Sequence, residues 1–321
     1  MIAAVHLSYI REYLTDRNFY SDVYFVDNGF PVESVPNEGR VKNQTFLQLF
    51  TGLSQYLSDP YFGLHYGAYL NVKSLGFVTY VVQHAGTINQ AVRILKEYLA
   101  HSFSIVKLLE VKCPDKYEIF LEVDQISDEG GKHLLDAIFA FVFREIKLIT
   151  PEPYLPELVL PYKDLDHYEL ILNTTCRTGS RHGFVFDPEI LNLPIRSGMT
   201  SGIEYLLPKL LLMLDEQKVV KPTFGQQFRN ICLKLSCPEP PNFEQAAAYF
   251  PMSQRTIQRK LKAEGLTYRK ISDSIRRELS VYLSENPRMK TQDIAYLLGY
   301  GDASAYLHAA QRWIQSPDSA K

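Results

Sequence analysis

The chain of 321 residues is long enough for two ordinary domains, and its formal net charge is −2. A composition of 46% hydrophobic, 12% aromatic and 22% charged residues is typical of a folded globular protein and excludes a disordered tail. Because the sequence has neither an uninterrupted apolar stretch of about 18 residues nor the basic segment and cleavage site of a signal peptide, we expect no membrane span and predict a cytoplasmic location.

The first 200 residues alternate between helical and strand patterns. Apolar spacing predicts a helix over "VKNQTFLQLFTGLSQYL" and another over "GTINQAVRILKEYLAHS", with Thr87 as its N-cap. Two β-rich runs flank Cys-Pro-Asp-Lys within residues 104–124 and predict a hairpin. A long helix is predicted for Lys132–Thr150, and "LPELVLPY" and "GFVFD" are strand candidates. The pattern indicates an α+β domain over residues 1–200, with helices over a small antiparallel sheet.

The sequence carries no recognisable catalytic motif: GxSxG, HExxH, GxxxxGK[ST] and GxGxxG are all absent. The segment "TCRTGSRHG" gathers Cys, Ser, Arg and His, but adjacency is not triad geometry, so we interpret Arg177, Arg181 and His182 as loop residues or anion contacts. No CxxC pair or zinc spacing occurs, which favours reduced buried thiols at all four cysteines: Cys113, Cys176, Cys232 and Cys237. We therefore expect no enzyme activity, cofactor or metal.

A linker helix is predicted for residues 201–222. Leucines recur at helical spacing, and Pro208 is acceptable only in a first turn or at a kink. The stripe favours a seam against the helix's own domain over a dimer contact; it comprises Leu207, Leu210, Leu211 and Leu214.

The last hundred residues are basic and entirely helical in pattern. From Pro222 onward there are 14 cations and 9 acids, a net charge of +5, whereas the preceding part has 20 cations and 27 acids, a net charge of −7. A domain that binds a polyanion would produce this asymmetry, and so would an ordinary solvated basic face.

Within residues 223–321, two pairs of short helices are predicted, joined by a long helix from Tyr268 to Leu283. In the first pair, Asn242 caps "NFEQAAAYF", Ser253 caps the next helix and Gly265 ends it. Ile257 and Leu261 should face inward, leaving a polar outer face of Gln254, Arg255, Gln258, Arg259 and Lys262. Arginine and glutamine form bidentate contacts with guanine and adenine edges in the major groove, so this helix is the predicted reader of bases.

The second pair lies in "KTQDIAYLLGYGDASAYLHAAQRW", with a turn at residues 299–301 and Asp302 as N-cap of its second helix. Two pairs of this kind in tandem indicate a double helix-turn-helix. Candidate DNA contacts outside the first pair are the phosphate contacts Arg276 and Arg277 on the long helix, and Asp302, Ser304, His308 and Arg312 in the second pair.

This C-terminal segment resembles the DNA-binding domain of AraC/XylS-family transcriptional regulators. The family pattern I-A-x-x-L-G-[FY], followed by an Asp-x-Ser stretch and a final R-W, is matched by Ile294, Ala295, Leu298, Gly299, Tyr300, Asp302, Ser304, Arg312 and Trp313. The first 200 residues resemble the family's arabinose-binding-type sensor domain through "DPYFGLHYG" and "FVFDPEILNLPI". The resemblance implies a DNA-binding regulator controlled by a small effector.

The second reading helix departs from the usual polar or basic pattern. Its residues include Ala303, Ser304, Ala305, Leu307, His308, Ala310 and Gln311. We therefore expect the first pair to supply most base recognition and the second to contact phosphate through its helix N-terminus. On this view Leu307→Ala acts through folding or not at all.

The predicted partners are double-stranded DNA, a small-molecule effector, RNA polymerase and a second copy of the chain, with no membrane. The ligand-binding residues are unknown. Aromatic residues of the first half are candidates for an effector pocket, although most should belong to the core: Tyr61, Phe62, Tyr66, Tyr69, Phe77, Tyr80, Phe139, Phe141 and Phe143. The alternative is a degenerate regulator that acts through a protein partner with little sequence-specific DNA binding.

Overall fold

The computed structural model describes residues 1–17, 19–27, 39–70, 81, 85–123, 129–150, 154–195, 206, 209–210, 213, 222–236, 239–287 and 289–315. The chain divides into two compact units, of which the first comprises Met1–Leu70 with Tyr80–Ile195 and the second includes Arg196–Lys321. The domain boundaries predicted at 200 and 222 flank a segment that lies mostly outside the described ranges, so they stay predictions.

The first unit is a mixture of helices and strands. Its helices are α1 (Val5–Asp16), α2 (Ser21–Asp27), α3 (Asn43–Leu57), α4 (Phe62–Tyr69), α5 (Ile88–Ser102), α6 (Glu129–Ile149) and α7 (Asp166–Leu172). Its strands are β1 (Ile2–Ala3), β2 (Arg40–Val41), β3 (Val106–Lys112), β4 (Tyr117–Val123), β5 (Glu157–Leu160), β6 (Cys176–Thr178) and β7 (His182–Phe186). The predicted helices and the hairpin are confirmed, with α6 beginning three residues earlier than expected.

The main sheet has the order β3-β4-β7-β5-β6. Strands β3 and β4 form the predicted hairpin, and the alternation along β4 buries Tyr117, Ile119, Leu121 and Val123. The expectation of a purely antiparallel sheet is wrong, because β5 and β6 pair in parallel. The helix α7 between these two strands carries the chain back to the same end of the sheet, which parallel pairing requires.

Close contact between α4 and α6 organises the core of this unit. A Cβ atom at Gly63 or Gly67 would clash with the carbonyl oxygens of His133 and Ala137 on α6. The two glycines lie four residues apart on one face of α4, so they let the two backbones meet. Of the aromatic candidates, Phe62, Tyr66, Tyr69, Phe139, Phe141 and Phe143 are buried here, as expected of core residues, Tyr61 is half-buried, and Phe77 and Tyr80 lie outside the described residues.

The segment "TCRTGSRHG" is strand rather than loop for most of its length. Arg177 lies on β6 and forms an ion pair with Glu157 at 2.7 Å, and His182 is a buried residue of β7. Arg181 lies in the turn between them, bound to Glu122 at 2.7 Å. The loop interpretation is therefore wrong for Arg177 and His182, because cross-strand pairing incorporates both into the sheet.

The cysteines differ in burial. Cys113, Cys176 and Cys232 are free thiols, but only Cys232 is buried, so the expectation of uniform burial is wrong; Cys237 lies outside the described residues. Burial raises the pKa of Cys232 to about 12, and burial together with Glu169 raises the pKa of Cys176 to about 12. Both thiols are therefore protonated at neutral pH and are poor nucleophiles.

The second unit is helical wherever it forms regular structure in the described ranges. Its helices are α8 (Phe224–Leu235), α9 (Phe243–Ala247), α10 (Gln254–Ala263), α11 (Tyr268–Ser284), α12 (Thr291–Leu297) and α13 (Ala303–Gln315). In the predicted linker, Leu206, Lys209, Leu210 and Met213 are helical, whereas Leu207, Leu211 and Leu214 lie outside the described residues. Lys209 forms an ion pair with Glu278 of α11 at 2.9 Å, and the same carboxylate binds Arg229 of α8.

Across the described ranges, every helix is too short or too polar to cross a lipid bilayer.

Candidate nucleic-acid interface

Helix α10 presents one apolar face and one polar face. Ile257 and Leu261 are 0% and 1% exposed, and the hydroxyl oxygen of Ser253 accepts from the backbone N–H of Thr256 at 3.3 Å. Gly265 follows with φ 71°, a left-handed conformation that glycine adopts without strain. The predicted cap, core face and stop are confirmed.

The outer face of α10 is solvent-exposed along its whole length. It comprises the five predicted residues Gln254, Arg255, Gln258, Arg259 and Lys262. This face therefore offers two guanidinium groups, one ammonium group and two amides, each able to donate hydrogen bonds to an anionic surface. Their contact with DNA stays a prediction.

Glu264 fastens the end of α10 to the start of α8. Its two carboxylate oxygens accept from the backbone N–H groups of Phe224 (3.0 Å) and Gly225 (2.9 Å). A carboxylate at a helix N-terminus satisfies free donors and interacts favourably with the helix dipole. Thr223 and Gln226 complete a capping box at the same terminus. Sequence reasoning missed this role of Glu264, because the carboxylate and the N–H groups that it binds are about forty residues apart in the chain.

The second helix pair is braced by Arg276. Its Nε donates to the carbonyl oxygen of Leu298 at 3.0 Å, and its Nη1 donates to the hydroxyl of Ser272 at 2.5 Å. The guanidinium carbon also lies 5.7 Å from the ring centroid of Tyr300. These contacts fix the turn between α12 and α13, so Arg276 has a structural role that the sequence did not indicate. Its predicted phosphate contact stays a prediction.

Helix α13 begins at the predicted cap. The Asp302 carboxylate accepts from the backbone N–H of Ala305 at 2.7 Å, and Tyr306, Ala309 and Trp313 form the buried face. The predicted residues Ser304, His308 and Arg312 are exposed on the outside. Leu307 is 49% exposed, so it is not a core residue. Of the two outcomes expected for Leu307→Ala, an effect through folding therefore loses its basis, and the absence of any effect stays untested.

Two predicted cations share a cleft beside α11. Arg277 and Arg312 line a cavity of about 970 Å³, which Arg269 and Lys270 also line. Sequence reasoning did not include Arg269 and Lys270, although their spacing of seven and eight residues from Arg277 places all three near one side of the helix. The acids Asp273, Glu278 and Glu285 and the cation Lys209 also line the cleft, so five cations face three carboxylates along its walls.

The first unit buries two networks of ionisable groups. The fully buried Asp136 accepts hydrogen bonds from Tyr162 (2.9 Å), Tyr168 (3.0 Å) and His182 (2.9 Å). These groups come from α6, α7, β7 and the loop after β5. The burial of Tyr168 and the charge of Asp136 raise the pKa of Tyr168, so this hydroxyl acts as a donor at every physiological pH.

Asp59 anchors the second network. It binds Arg17 at 3.0 Å and His65 Nδ1 at 2.8 Å, and His65 Nε2 lies 2.8 Å from His167 Nε2. Burial opposes ionisation of Asp59, but His65 and Arg17 outweigh it and hold its pKa well below the usual range. Asp59 and His65 lie in "DPYFGLHYG", so this stretch contributes to the architecture of the interior.

Comparison with known proteins identifies the class. A family model described as the arabinose-binding domain of AraC transcription regulators, N-terminal, matches residues 30–195, about half of the chain. The protein is a transcription regulator with an N-terminal sensor domain. It belongs to the AraC family, in the branch that carries this arabinose-binding-type domain, as the sequence predicted.

Relatives that match most of the chain are also transcription regulators. The HTH-type transcriptional regulator VqsM of Pseudomonas aeruginosa is 23% identical, over 78% of this chain and 80% of that protein. The ornithine utilization regulator of the same species is 24% identical, over 87% of this chain and 83% of that protein. The crystal structure of the transcriptional regulator CdpR from Pseudomonas aeruginosa covers 92% of this chain and 93% of its own at 19% identity, with a TM-score of 0.39. VqsM and the ornithine utilization regulator are regulators and not enzymes, in line with the missing catalytic motifs.

Proposed function

We propose that this regulator binds double-stranded DNA sequence-specifically through a tandem helix-turn-helix, with α9 and α10 as the first pair and α12 and α13 as the second. The observation that carries the proposal is the polar face of α10, whose five exposed donors stand opposite two fully buried apolar residues. Arginine and glutamine side chains on a firmly capped helix suit the base edges of the major groove. The helix would read bases, while Arg277 and Arg312 contact phosphates.

The same proposal includes control by a small effector held in the N-terminal unit. The regulator would act in the cytoplasm, as an activator that contacts RNA polymerase, and as a homodimer. Family membership supports the effector, but the name of the domain does not specify arabinose. The ion pairs of Glu278 with Lys209 and Arg229 support a mechanical connection between the linker and α11.

The first test is binding of the purified protein to genomic DNA fragments, including its own promoter, over a series of salt concentrations. A site-selective complex should form, and its log affinity should fall with log salt by about 0.9 per neutralised phosphate. Weak binding that is blind to sequence at every salt concentration would contradict the proposal. It would favour the alternative regulator that acts through a protein partner, to which the cation-poor outer face of α13 points.

Substitutions on α10 test the assignment of the reading helix. Arg255→Ala and Arg259→Ala should each weaken specific binding by about 1 to 3 kcal/mol, because each removes a donor to a base edge. Arg181→Ala in the first unit removes the same charge from an exposed ion pair and serves as the control. Equal losses in all three variants would mean that net charge, and not base recognition, sets the affinity.

A further inference from the structure

The two proposed reading helices can be compared by aligning their N-caps. Ser253 caps α10 and Asp302 caps α13, and each accepts from the backbone N–H three residues further on. In this alignment the buried Ile257 coincides with the buried Tyr306. The exposed positions pair as Arg255 with Ser304, Gln258 with Leu307, Arg259 with His308, and Lys262 with Gln311.

The outer face of α13 thus differs in chemistry from that of α10. Between Ser304 and Gln311 it has no lysine or arginine, and one of its four matched positions is apolar. Leu307 is 49% exposed, and it stands where α10 has Gln258, a predicted base contact. A leucine side chain neither donates nor accepts hydrogen bonds, so it cannot read the polar edge of a base pair.

The major groove offers one apolar group, the C5-methyl of thymine. Burying Leu307 against that methyl would remove apolar surface of both partners from water. We propose that Leu307 is a specificity-determining residue, which contacts a thymine methyl in the half-site under α13. The inference rests on the proposed DNA-binding function. It adds that the half-site under α10 is read by hydrogen bonds, and the half-site under α13 partly by an apolar contact.

The experiment removes the methyl groups from the DNA. In a site selected by the full-length protein, the half-site of α13 is the one whose base preference survives Arg259→Ala, and each of its thymines is replaced in turn by deoxyuridine. At one thymine the affinity of the wild-type protein should fall about fourfold, the loss expected for one buried methyl group. Leu307→Ala should lose a similar factor on the unmodified site and become insensitive to the deoxyuridine.

A second variant tests for a new base preference, which a simple loss of DNA binding could not produce. Leu307→Gln places the side chain of the matched α10 position on α13, and glutamine binds adenine through two hydrogen bonds. This variant should lose the dependence on the methyl group and prefer adenine at the same base pair. Because Leu307 is exposed, both variants should keep the melting temperature of the wild-type protein.

Each other outcome counts against the inference. Wild-type affinity that ignores every thymine-to-deoxyuridine change overturns it, while selective binding of DNA by the same protein leaves the proposed function standing. Loss of transcription in Leu307→Ala with normal DNA affinity would assign Leu307 to a protein contact instead. If the wild-type protein shows no selective binding at all, the proposed function itself has failed.

Discussion

The two units bury different kinds of side chain. In the described part of the first unit, the interior contains ionisable residues at 0% to 6% exposure, among them His6, Arg17, Asp136 and Glu145. In the described part of the second unit, the core is apolar apart from a few serines and Lys234, and arginines stand on the surface of α10 and α13. The unit with the acidic sequence buries several ionisable groups, whereas the unit with the basic sequence exposes its arginines.

This difference fits the division of labour in a regulator. A buried polar network has low tolerance for a lost partner or an added proton, so small chemical changes shift its stability. An apolar core with charges outside holds a rigid surface toward a polyanion. We therefore expect the stability of the first unit to depend on its buried ionisable groups. The second unit should depend more on its surface residues and helix caps.

The largest effect should come from Asp136→Ala. The change removes the carboxylate that accepts hydrogen bonds from Tyr162, Tyr168 and His182. Breaking a buried network of this kind lowers the free energy of unfolding by about 3 kcal/mol or more. Hydrogen exchange should show loss of protection in α6, α7 and β7, with the second unit unaffected. The exposed Asp166→Ala is the matched control. Wild-type protection in Asp136→Ala would remove the contrast between the units.

The next effect concerns acid. Burial lowers the pKa of His6 to about 4, and neither of its ring nitrogens has a hydrogen-bond partner among the described residues. The folded state therefore holds fewer protons than the unfolded state between pH 6.5 and 4. The contribution of neutral His6 to the free energy of unfolding is fully present above about pH 6.5. It decreases by about 3 kcal/mol as the pH falls towards 4.

His6→Phe tests this dependence, because phenylalanine can keep the stacking on Phe103, now at a centroid distance of 4.2 Å, and does not titrate. Its first-unit unfolding transition should lose less stability than that of the wild-type protein between pH 7 and pH 4. Some acid sensitivity should remain, because burial and His65 also lower the pKa of His167 to about 4. His308→Phe, at an exposed position of the second unit, should leave the pH dependence of the first-unit unfolding transition unchanged. Identical pH profiles for wild type and His6→Phe would refute the role of His6.

The smallest effect should follow Glu264→Ala, which tests the second unit at a helix end. Loss of the two hydrogen bonds to the N-terminus of α8 should destabilise the second unit by about 1 kcal/mol, and Glu264→Gln should recover part of that. Chemical denaturation followed in the second unit measures the loss. Glu285→Ala, which removes an exposed acid at the end of α11, is the control. A loss no greater than in this control would show that the connection between α10 and α8 does not depend on Glu264.

Much of the fold was predictable because the residues that specify helix ends and strand faces lie close together in the sequence. Thr87, Asn242, Ser253 and Asp302 cap helices as predicted, since each bonds a backbone group only three residues away. The alternation of β4 and the polar face of α10 were equally visible. The parallel pairing of β5 with β6 was not, because a strand of three residues leaves too few positions for a periodic pattern.

Residue spacing along a few turns of chain was enough to predict the two helix pairs of the second unit and the polar face of α10, and the resemblance of motifs to a known family indicated the class of the protein. The folded chain was needed to see that Asp136 on α6 binds partners from three other segments, that Arg276 braces a turn and that Leu307 lies outside the core. Such contacts join residues that are tens of positions apart. Their existence depends on how the packed elements meet, and no local periodicity records that.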